Sequence, residues 1–484
     1  MRLLKDILYR LDLKQLKGDI NCMISHVCFD SRQVKKGALF VAVKGTISNG
    51  HSFISEAINR GAVAIVFEEK PPEIHEDVAY IRVRDTSRAL ALIASNFYEN
   101  PSDKLKLIGV TGTNGKTTVA TLLHKLFMAL GKKSGLISTV EYKIGKNSIK
   151  ATHTTPDALR IHSLLANMWE EGCFYCFMEV SSHAIDQGRV HGLDFDLALF
   201  TNISRDHLDY HKTYDEYILA KKKFFDVLSS NAIAIVNNDD IHAKTMLQQS
   251  HAIKKTFGLR TPADYSCKIM ENQFSGLHIR IQGQDVFTKL IGTFNAANLL
   301  LVYASAIELG EDSIQVLTEL SSLNAVEGRF QQIKSCIGFT AIVDYAHTPD
   351  ALKNVLKTIV NIKNKESRLI CLVGCGGDRD VGKRSLMGQV ACDWSDQVIF
   401  TSDNPRSESV DSIILHMKQE LSPAQLKIVL SITDRTEAIK LGIALCRKGD
   451  VLLVAGKGHE KYQEIRGDRL PFDDMEVLKE YLND

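Results

Sequence analysis

The chain runs to 484 residues with 59 Lys and Arg against 58 Asp and Glu, so its net charge of +1 gives no footing for nucleic acid or an anionic membrane as partner. With 44% hydrophobic and 24% charged residues it has the balance of a soluble globular protein, too long for one core and suited to about three domains. No stretch supplies the roughly 18 consecutive apolar residues of a membrane span, and the N-terminal MRLLKDILYRLDLKQ reads as a charge-dotted amphipathic helix, not a secretory signal.

In residues 1–103, short strands are predicted in GALFVAVKG, GAVAIVFEE and AYIRV, with a helix near Arg88–Tyr98. The polar ENPSDK (99–104) then breaks the pattern. Over 104–328, apolar strands (CFYCFMEV, DLALFTNI, AIAIVNN) alternate with helical stretches (DEYILAKKKFFDVL, FNAANLLLVYASAIEL), the pattern of a mostly parallel sheet covered by helices. A second α/β run over 329–484 holds FTAIVDY, a helix from Asp350, RLICLVG, QVIFTSD, KIVLSI, TEAIKLGIALC and DVLLVAG. The expected fold class is therefore α/β in three domains, the first the smallest. Ten scattered cysteines, many in apolar runs, fit a reducing cytoplasm. Cys173 and Cys176 form a C-x-x-C within a strand-like run and without a second pair, which predicts core packing.

The most informative stretch is LKLIGVTGTNGKTTVATLLHKL, residues 105–126. A buried strand ends in a Gly-rich turn and a helix begins near Lys116, so backbone N–H groups and a helix N-terminus converge where a polyphosphate can sit. Lys116 adds charge, and the Thr117 hydroxyl can ligate Mg²⁺. The register departs from G-x-x-x-x-G-K-[ST], because Val110 stands where the first Gly belongs. Binding of a nucleoside triphosphate is the expectation.

Other polar clusters follow apolar strands, where open α/β sheets gather ligands. MEVSSHAIDQGRV brings Glu179, Ser181, His183, Gln187 and Arg189; TNISRDHLDYH brings Asp206, His207 and His211. His207 and His211 are spaced i,i+4, but Leu208 stands where a zinc protease carries its Glu. In the third domain VDYAHTPDAL, GCGGDRDVGKR, FTSDNPR and VAGKGHE repeat the arrangement. A GTPase switch is disfavoured: the only Asn-Lys, Asn364-Lys365, is followed by Glu366-Ser367 and not by the x-Asp that reads guanine.

GTNGKTT, MEVSSH, TNISRDHLDYH, VDYAHTPDAL, GCGGDRD and DNPR together resemble the Mur ligases, ATP-dependent amide-forming enzymes of peptidoglycan synthesis, nearly end to end from FDSR (29–32) to GKGHE (456–460). The resemblance is strongest to the branch that adds meso-2,6-diaminopimelate to a UDP-N-acetylmuramoyl dipeptide. It implies a UDP-sugar-binding domain at 1–103, a P-loop ATPase-type domain at 104–328 and a Rossmann-like amino-acid-binding domain at 329–484. Lysine-adding or other Mur-type ligases, and folylpolyglutamate synthetase-like ligases, stay as alternatives within the superfamily.

Carried over residue by residue, the resemblance implies that Gly112, Thr113, Asn114, Gly115, Lys116, Thr117 and Thr118 hold ATP. Asn295 and Arg329 contact the nucleotide, and Asp344 and His347 close that site. Thr117 and Glu179 would hold one Mg²⁺ and His207 a second. Thr154, Thr155, Ser181, Gln187 and Arg189 would grip the UDP-muramoyl dipeptide, with Ser31 and the turn after Gly45 at the uridine. Lys221 matches a catalytic lysine carried as a carbamate (N6-carboxylysine). Arg379, Asp403, Asn404, Pro405, Arg406, Gly456 and Glu460 match the diaminopimelate pocket. There Arg406 is the deciding residue, because lysine-adding relatives typically lack it. His153 departs from the Asn that close relatives often place before the Thr-Thr pair. The implied protein is a cytoplasmic monomer that works on small molecules, without nucleic acid or membrane. Lys116 is expected to be solvent-exposed without ligand, and Lys222 and Lys223 to be helix-surface lysines.

Overall fold

The computed structural model describes residues 1–45, 48–69 and 74–482. Among these residues three large sheets succeed one another along the chain. The first has five strands in the spatial order Leu13–Lys17, Ala79–Val83, Ala62–Phe67, Ala38–Val41, His26–Cys28, parallel except at the Leu13–Lys17 edge. The amphipathic helix expected over the first fifteen residues shrinks to Leu4–Ile7. Arg10 turns the chain at φ +64°, and Leu13–Lys17 pairs antiparallel with Ala79–Val83. Strand pairing satisfies a sheet edge that a helix would leave open, and this outweighs local helix propensity.

The central sheet has eleven strands among the described residues. Its middle is parallel, with Lys106–Thr111 between Tyr175–Glu179 and Leu197–Phe200. Both margins turn antiparallel, through Glu141–Ile144 with Asn147–Lys150 and through the Tyr265–Gln273, Gly276–Ile281, Gln284–Thr288 meander. Helices Lys116–Ala129 and Thr293–Glu308 cover one face; Ala158–Glu170 and Tyr214–Asp226 cover the other. Cys173 and Cys176 pack in the second core as expected. Gly109 is a packing glycine: a Cβ there would lie 2.6 Å from Phe224 and 2.8 Å from Phe195.

The third sheet has six strands among the described residues: Gln331–Lys334, Thr340–Asp344, Val451–Ala455, Leu369–Val373, Gln397–Phe400, Val429–Ser431. Only the first pairing is antiparallel. The shared direction of the other strands delivers the loops after Asp344, Val373, Phe400 and Ala455 to one edge. Among the described residues no helix is long and apolar enough to cross a membrane.

Candidate active site

The Lys106–Thr111 strand hands over to the Lys116–Ala129 helix through a turn that two glycines permit, Gly112 at φ +147° and Gly115 at φ +89°. A Cβ on Gly112 would meet the Thr201 hydroxyl at 2.0 Å. The turn is tied to the next strand end: Thr113 N donates to Asn202 O (2.8 Å), Asn114 N to Asn202 Oδ1 (3.0 Å), and Thr201 Oγ1 to Asn114 O (2.6 Å). Lys116 is not solvent-exposed as expected but half-buried, because its ammonium folds back onto the carbonyls of Gly112 (2.9 Å) and Thr113 (2.8 Å). Burial holds its pKa below the ordinary value.

Thr117 and Thr118 lie buried in the helix's first turn. The Thr117 hydroxyl donates to Glu179 Oε2 at 3.0 Å and accepts from Arg329 Nη2 at 3.1 Å. Glu179 Oε1 accepts from the Thr139 amide (2.7 Å) and hydroxyl (3.0 Å). A hydroxyl and a carboxylate converging beside a Gly-rich turn are hard oxygen donors of the kind Mg²⁺ takes along with phosphate oxygens and water. Among the described residues no group of three or more His, Cys, Asp and Glu is arranged to cage a metal by itself. His207, at φ +54°, lines the same cavity with Nε2 3.4 Å from Asp206 Oδ2. Burial holds its pKa below the ordinary value despite that carboxylate, leaving a neutral ring able to ligate.

Lys221, on the Tyr214–Asp226 helix, is 1% exposed. Its amine donates to Gly112 O at 2.9 Å and sits 4.6 Å above the Tyr217 ring. Burial first, then the Lys116 charge, pushes its pKa well down. Lys222, expected on the surface, is also buried and bound to Asp226 at 2.7 Å; only Lys223 reaches solvent, beside Asp186.

These groups line a cavity of about 950 Å³ whose far wall belongs to the third domain, including Asp344, His347, Asp350 and Arg379. Asn114 Nδ2 donates across it to Asp350 Oδ2 at 3.2 Å. Asn295 lines the cavity with its amide donated to Ile291 O at 2.8 Å. Thr154 and Thr155 reach the cavity beside Glu179: the Thr154 hydroxyl lies 3.0 Å from the Thr139 hydroxyl, whose proton goes to Glu179, and the Thr155 hydroxyl donates to Glu179 O (2.7 Å). Arg189 Nη1 donates to Thr155 O (2.8 Å) while Nε and Nη2 clasp Gln187 Oε1. Ser181 caps the Ser182–Asp186 helix through Ala184 N.

The DNPR loop makes a second cluster. Asn404 Nδ2 donates to Glu460 Oε2 at 2.7 Å, and Asn404 Oδ1 accepts from Lys457 Nζ (3.0 Å) and Glu464 N (2.9 Å). Burial, then the neighbouring Asp403 carboxylate, raises the Glu460 pKa. Gly456, at φ +112°, has no room for a side chain: a Cβ would stand 2.6 Å from Asp403 Oδ2. Pro405 O closes on Gly377 so tightly that a Cβ there would reach within 1.9 Å. Arg406 is already engaged, donating to Gly377 O at 2.6 Å with Nε 3.5 Å from Glu464 Oε2. Arg379 lines the cavity with Nη1 3.9 Å from Asp209 Oδ2.

Three domain descriptions match the chain in register with this architecture: Mur ligase family, catalytic domain over residues 23–98; Mur ligase middle domain over 110–306; and Mur ligase, glutamate ligase domain over 328–458. The chain belongs to the Mur ligase family. It is 51% identical over 481 residues to the UDP-N-acetylmuramoyl-L-alanyl-D-glutamate–2,6-diaminopimelate ligase of Cytophaga hutchinsonii, covering 99% of both chains. To the protein of the same name from Parabacteroides distasonis it is 52% identical over 477 residues, 99% of this chain and 98% of the relative. A solved structure of an enzyme of that name superposes with a TM-score of 0.70 at 32% identity, over 100% of this chain and 99% of the other.

In this Mur ligase the sites anticipated from sequence do not all meet. Ser31 lies in the first domain, donating to Glu56 Oε2 at 3.1 Å, away from the cavity lining. The two residues after Gly45, part of the anticipated uridine turn, lie outside the described residues. Sequence reading missed Thr139, Tyr217, Lys457 and Glu464, and the apolar cavity wall of Phe257, Leu259, Phe294 and Val355. Lys457 had a legible signal, lying inside the same GKGHE as Gly456 and Glu460; the apolar residues had none, being drawn from separate elements.

Proposed function

We propose that this protein joins meso-2,6-diaminopimelate to UDP-N-acetylmuramoyl-L-alanyl-D-glutamate with hydrolysis of ATP to ADP and phosphate, in the cytoplasm. The observation that carries the reading is the cavity in which Lys116, Lys221, Thr117 and Glu179 face the third domain, whose Arg329 reaches Thr117. Cations and hard oxygen donors gather there, with room for a triphosphate beside an acceptor carboxylate. The relatives' names supply the substrates.

A carboxylate acylates poorly because oxide is its leaving group. Transfer of the γ-phosphoryl group onto the dipeptide carboxylate replaces it with phosphate, and the amine then attacks the acyl phosphate through a tetrahedral intermediate. The Gly112–Gly115 turn and Lys116 hold the phosphates, and Arg329 adds a cation beside Thr117. Thr117 and Glu179 would hold one Mg²⁺ and His207 would ligate a second; the metal would supply charge neutralisation of crowded oxyanions. Lys221, its pKa lowered, presents a neutral amine that can attack CO₂ and lose a proton, leaving a carbamate anion in place of the amine. Thr154, Thr155, Gln187 and Arg189 hold the dipeptide end of the acceptor, and Ser31 in the first domain serves its uridine. In the third domain Arg406 exchanges its carboxylate partner Glu464 for the distal carboxylate of the amino acid, with Asn404 beside it, Glu460 for the ammonium, and Arg379, Asp403 and Gly456 completing the wall.

The test is phosphate release with ATP, Mg²⁺ and the UDP-muramoyl dipeptide across candidate amino acids. Release with meso-diaminopimelate well above that with L-lysine is expected. A preference for lysine, or release with a folate in place of the UDP-sugar, would assign the chain to another branch.

A further inference from the structure

Beneath the DNPR cluster lies an ion pair with both side chains 0% exposed. Arg435 opens the Arg435–Leu445 helix and Asp474 opens the Asp474–Leu482 helix. Arg435 grips the carboxylate with two donors, Nε to Oδ1 at 2.7 Å and Nη2 to Oδ2 at 2.8 Å. Its other contacts go to backbone: Nη1 donates to Ser402 O and Nη2 to Ala455 O, each at 3.0 Å. Ser402 precedes Asp403 in the DNPR loop, and Ala455 precedes Gly456 in GKGHE. One guanidinium therefore ties together the two strand ends that carry Arg406 and Glu460.

The two ends have little slack, since Asp403 Oδ2 fills the space a Cβ on Gly456 would need. Gln463 fastens the first loop again, with Nε2 donating to Ser402 Oγ (2.6 Å) and Asp403 O (2.9 Å). Stability alone does not call for this arrangement, because a buried ion pair is often matched or exceeded by apolar residues of the same volume. An apolar pair could not hold two carbonyls at a set separation. A planar guanidinium, itself aligned by a bidentate carboxylate, can.

We propose that Arg435, oriented by Asp474, is a positioning residue for the incoming amino acid, setting the separation between the Asp403–Arg406 loop and the Gly456–Glu460 loop. This rests on the reading of that cluster as the amino-acid site. Arg435→Lys tests it, because an ammonium keeps the ion pair but cannot hold both carboxylate oxygens and both carbonyls in one plane. For the amino acid the wild-type enzyme accepts, KM should rise about tenfold or more, with KM for ATP and for the UDP-muramoyl dipeptide within about twofold and kcat changed less than KM. The double variant Arg435→Met with Asp474→Leu removes both charges together and should show the same selective rise; it decides the matter if Arg435→Lys does not fold by circular dichroism. Asp474→Asn, which leaves the donors to both carbonyls, should raise that KM less. An unchanged amino-acid KM in a folded variant, or an equal rise in all three KM values, overturns the proposal. A wild-type enzyme whose phosphate release does not depend on any amino acid would instead overturn the reading of the cluster.

Discussion

Gly112, Thr113, Asn114 and Gly115 form the proposed phosphate turn from one short piece of chain, whereas the proposed amino-acid cluster draws Gly377, Asn404, Arg406, Lys457, Glu460 and Glu464 from three separate loops and the Tyr462–Ile465 strand. The charges differ as much as the construction. At the turn, Lys116 and Lys221 both donate to the Gly112 carbonyl, two amine donors on one neutral acceptor. In the cluster each cation already faces a carboxylate, Arg406 with Glu464 and Lys457 with Glu460. The two lysines of the first region bond to backbone carbonyls and, among the described residues, to no carboxylate, which suits it to a polyanion. The second is balanced and suited to a zwitterion, which can trade partners without leaving a buried charge unpaired.

The largest effect that would break this contrast is at Lys116. Lys116→Ala, folded by circular dichroism, should lose roughly 10³-fold or more in turnover, since a charge on the transferring phosphoryl group is worth several kcal/mol. Retention of a tenth of wild-type turnover would show that the turn alone suffices. Lys221→Ala should be nearly inactive and partly rescued by a small carboxylic acid that replaces the carbamate oxygen. Lys223→Ala is the control, because that ammonium lies at the surface and Lys222 does not. A bare Lys221 ammonium in a high-resolution map with ATP and Mg²⁺ bound would remove the carbamate.

Arg406→Ala sharpens the other side. It should lower kcat/KM for diaminopimelate by roughly 10²- to 10³-fold while leaving ATP affinity unchanged, as expected for a desolvated cation worth about 2–5 kcal/mol to its carboxylate. Comparable kcat/KM for lysine and diaminopimelate in the wild type would mean that Glu464 keeps Arg406 and the substrate never receives it.

The smallest effect concerns the brace behind that loop. Arg384 is fully buried and holds Glu408 with both guanidinium arms (2.7 and 2.8 Å), while Glu408 accepts from Asp378 N at 2.6 Å. These hydrogen bonds, led by those from Arg384, lower the Glu408 carboxyl from 4.5 to about 2. A lowered carboxyl contributes stability above the unfolded pKa and loses it as pH falls through the folded one. The Tm advantage of wild type over Glu408→Gln should therefore be about 2–4 °C near neutrality and fade between pH 4.5 and about 2. A gap that does not change with pH would show that Glu408 carries no linked proton.

Family, fold class and the strand–turn–helix at Gly112–Gly115 were legible in the sequence because each is a local pattern: a strand, two glycines at positive φ and a helix start are consecutive in the chain. The polar strand ends were legible for the same reason, since parallel strands deliver their carboxyl ends to one edge. What only the tertiary structure decided was pairing. The segment Leu13–Lys17 became an edge strand because Ala79–Val83 offered it backbone partners. Lys222 found Gln249 at 3.0 Å, and Arg406 found Glu464 far along the chain. Arg435, unremarked in the sequence, lies beneath both the Asp403–Arg406 and Gly456–Glu460 loops. Burial and charge partnership depend on neighbours brought together by packing, so a residue's type announces what it can bind, while the fold determines what it is already holding.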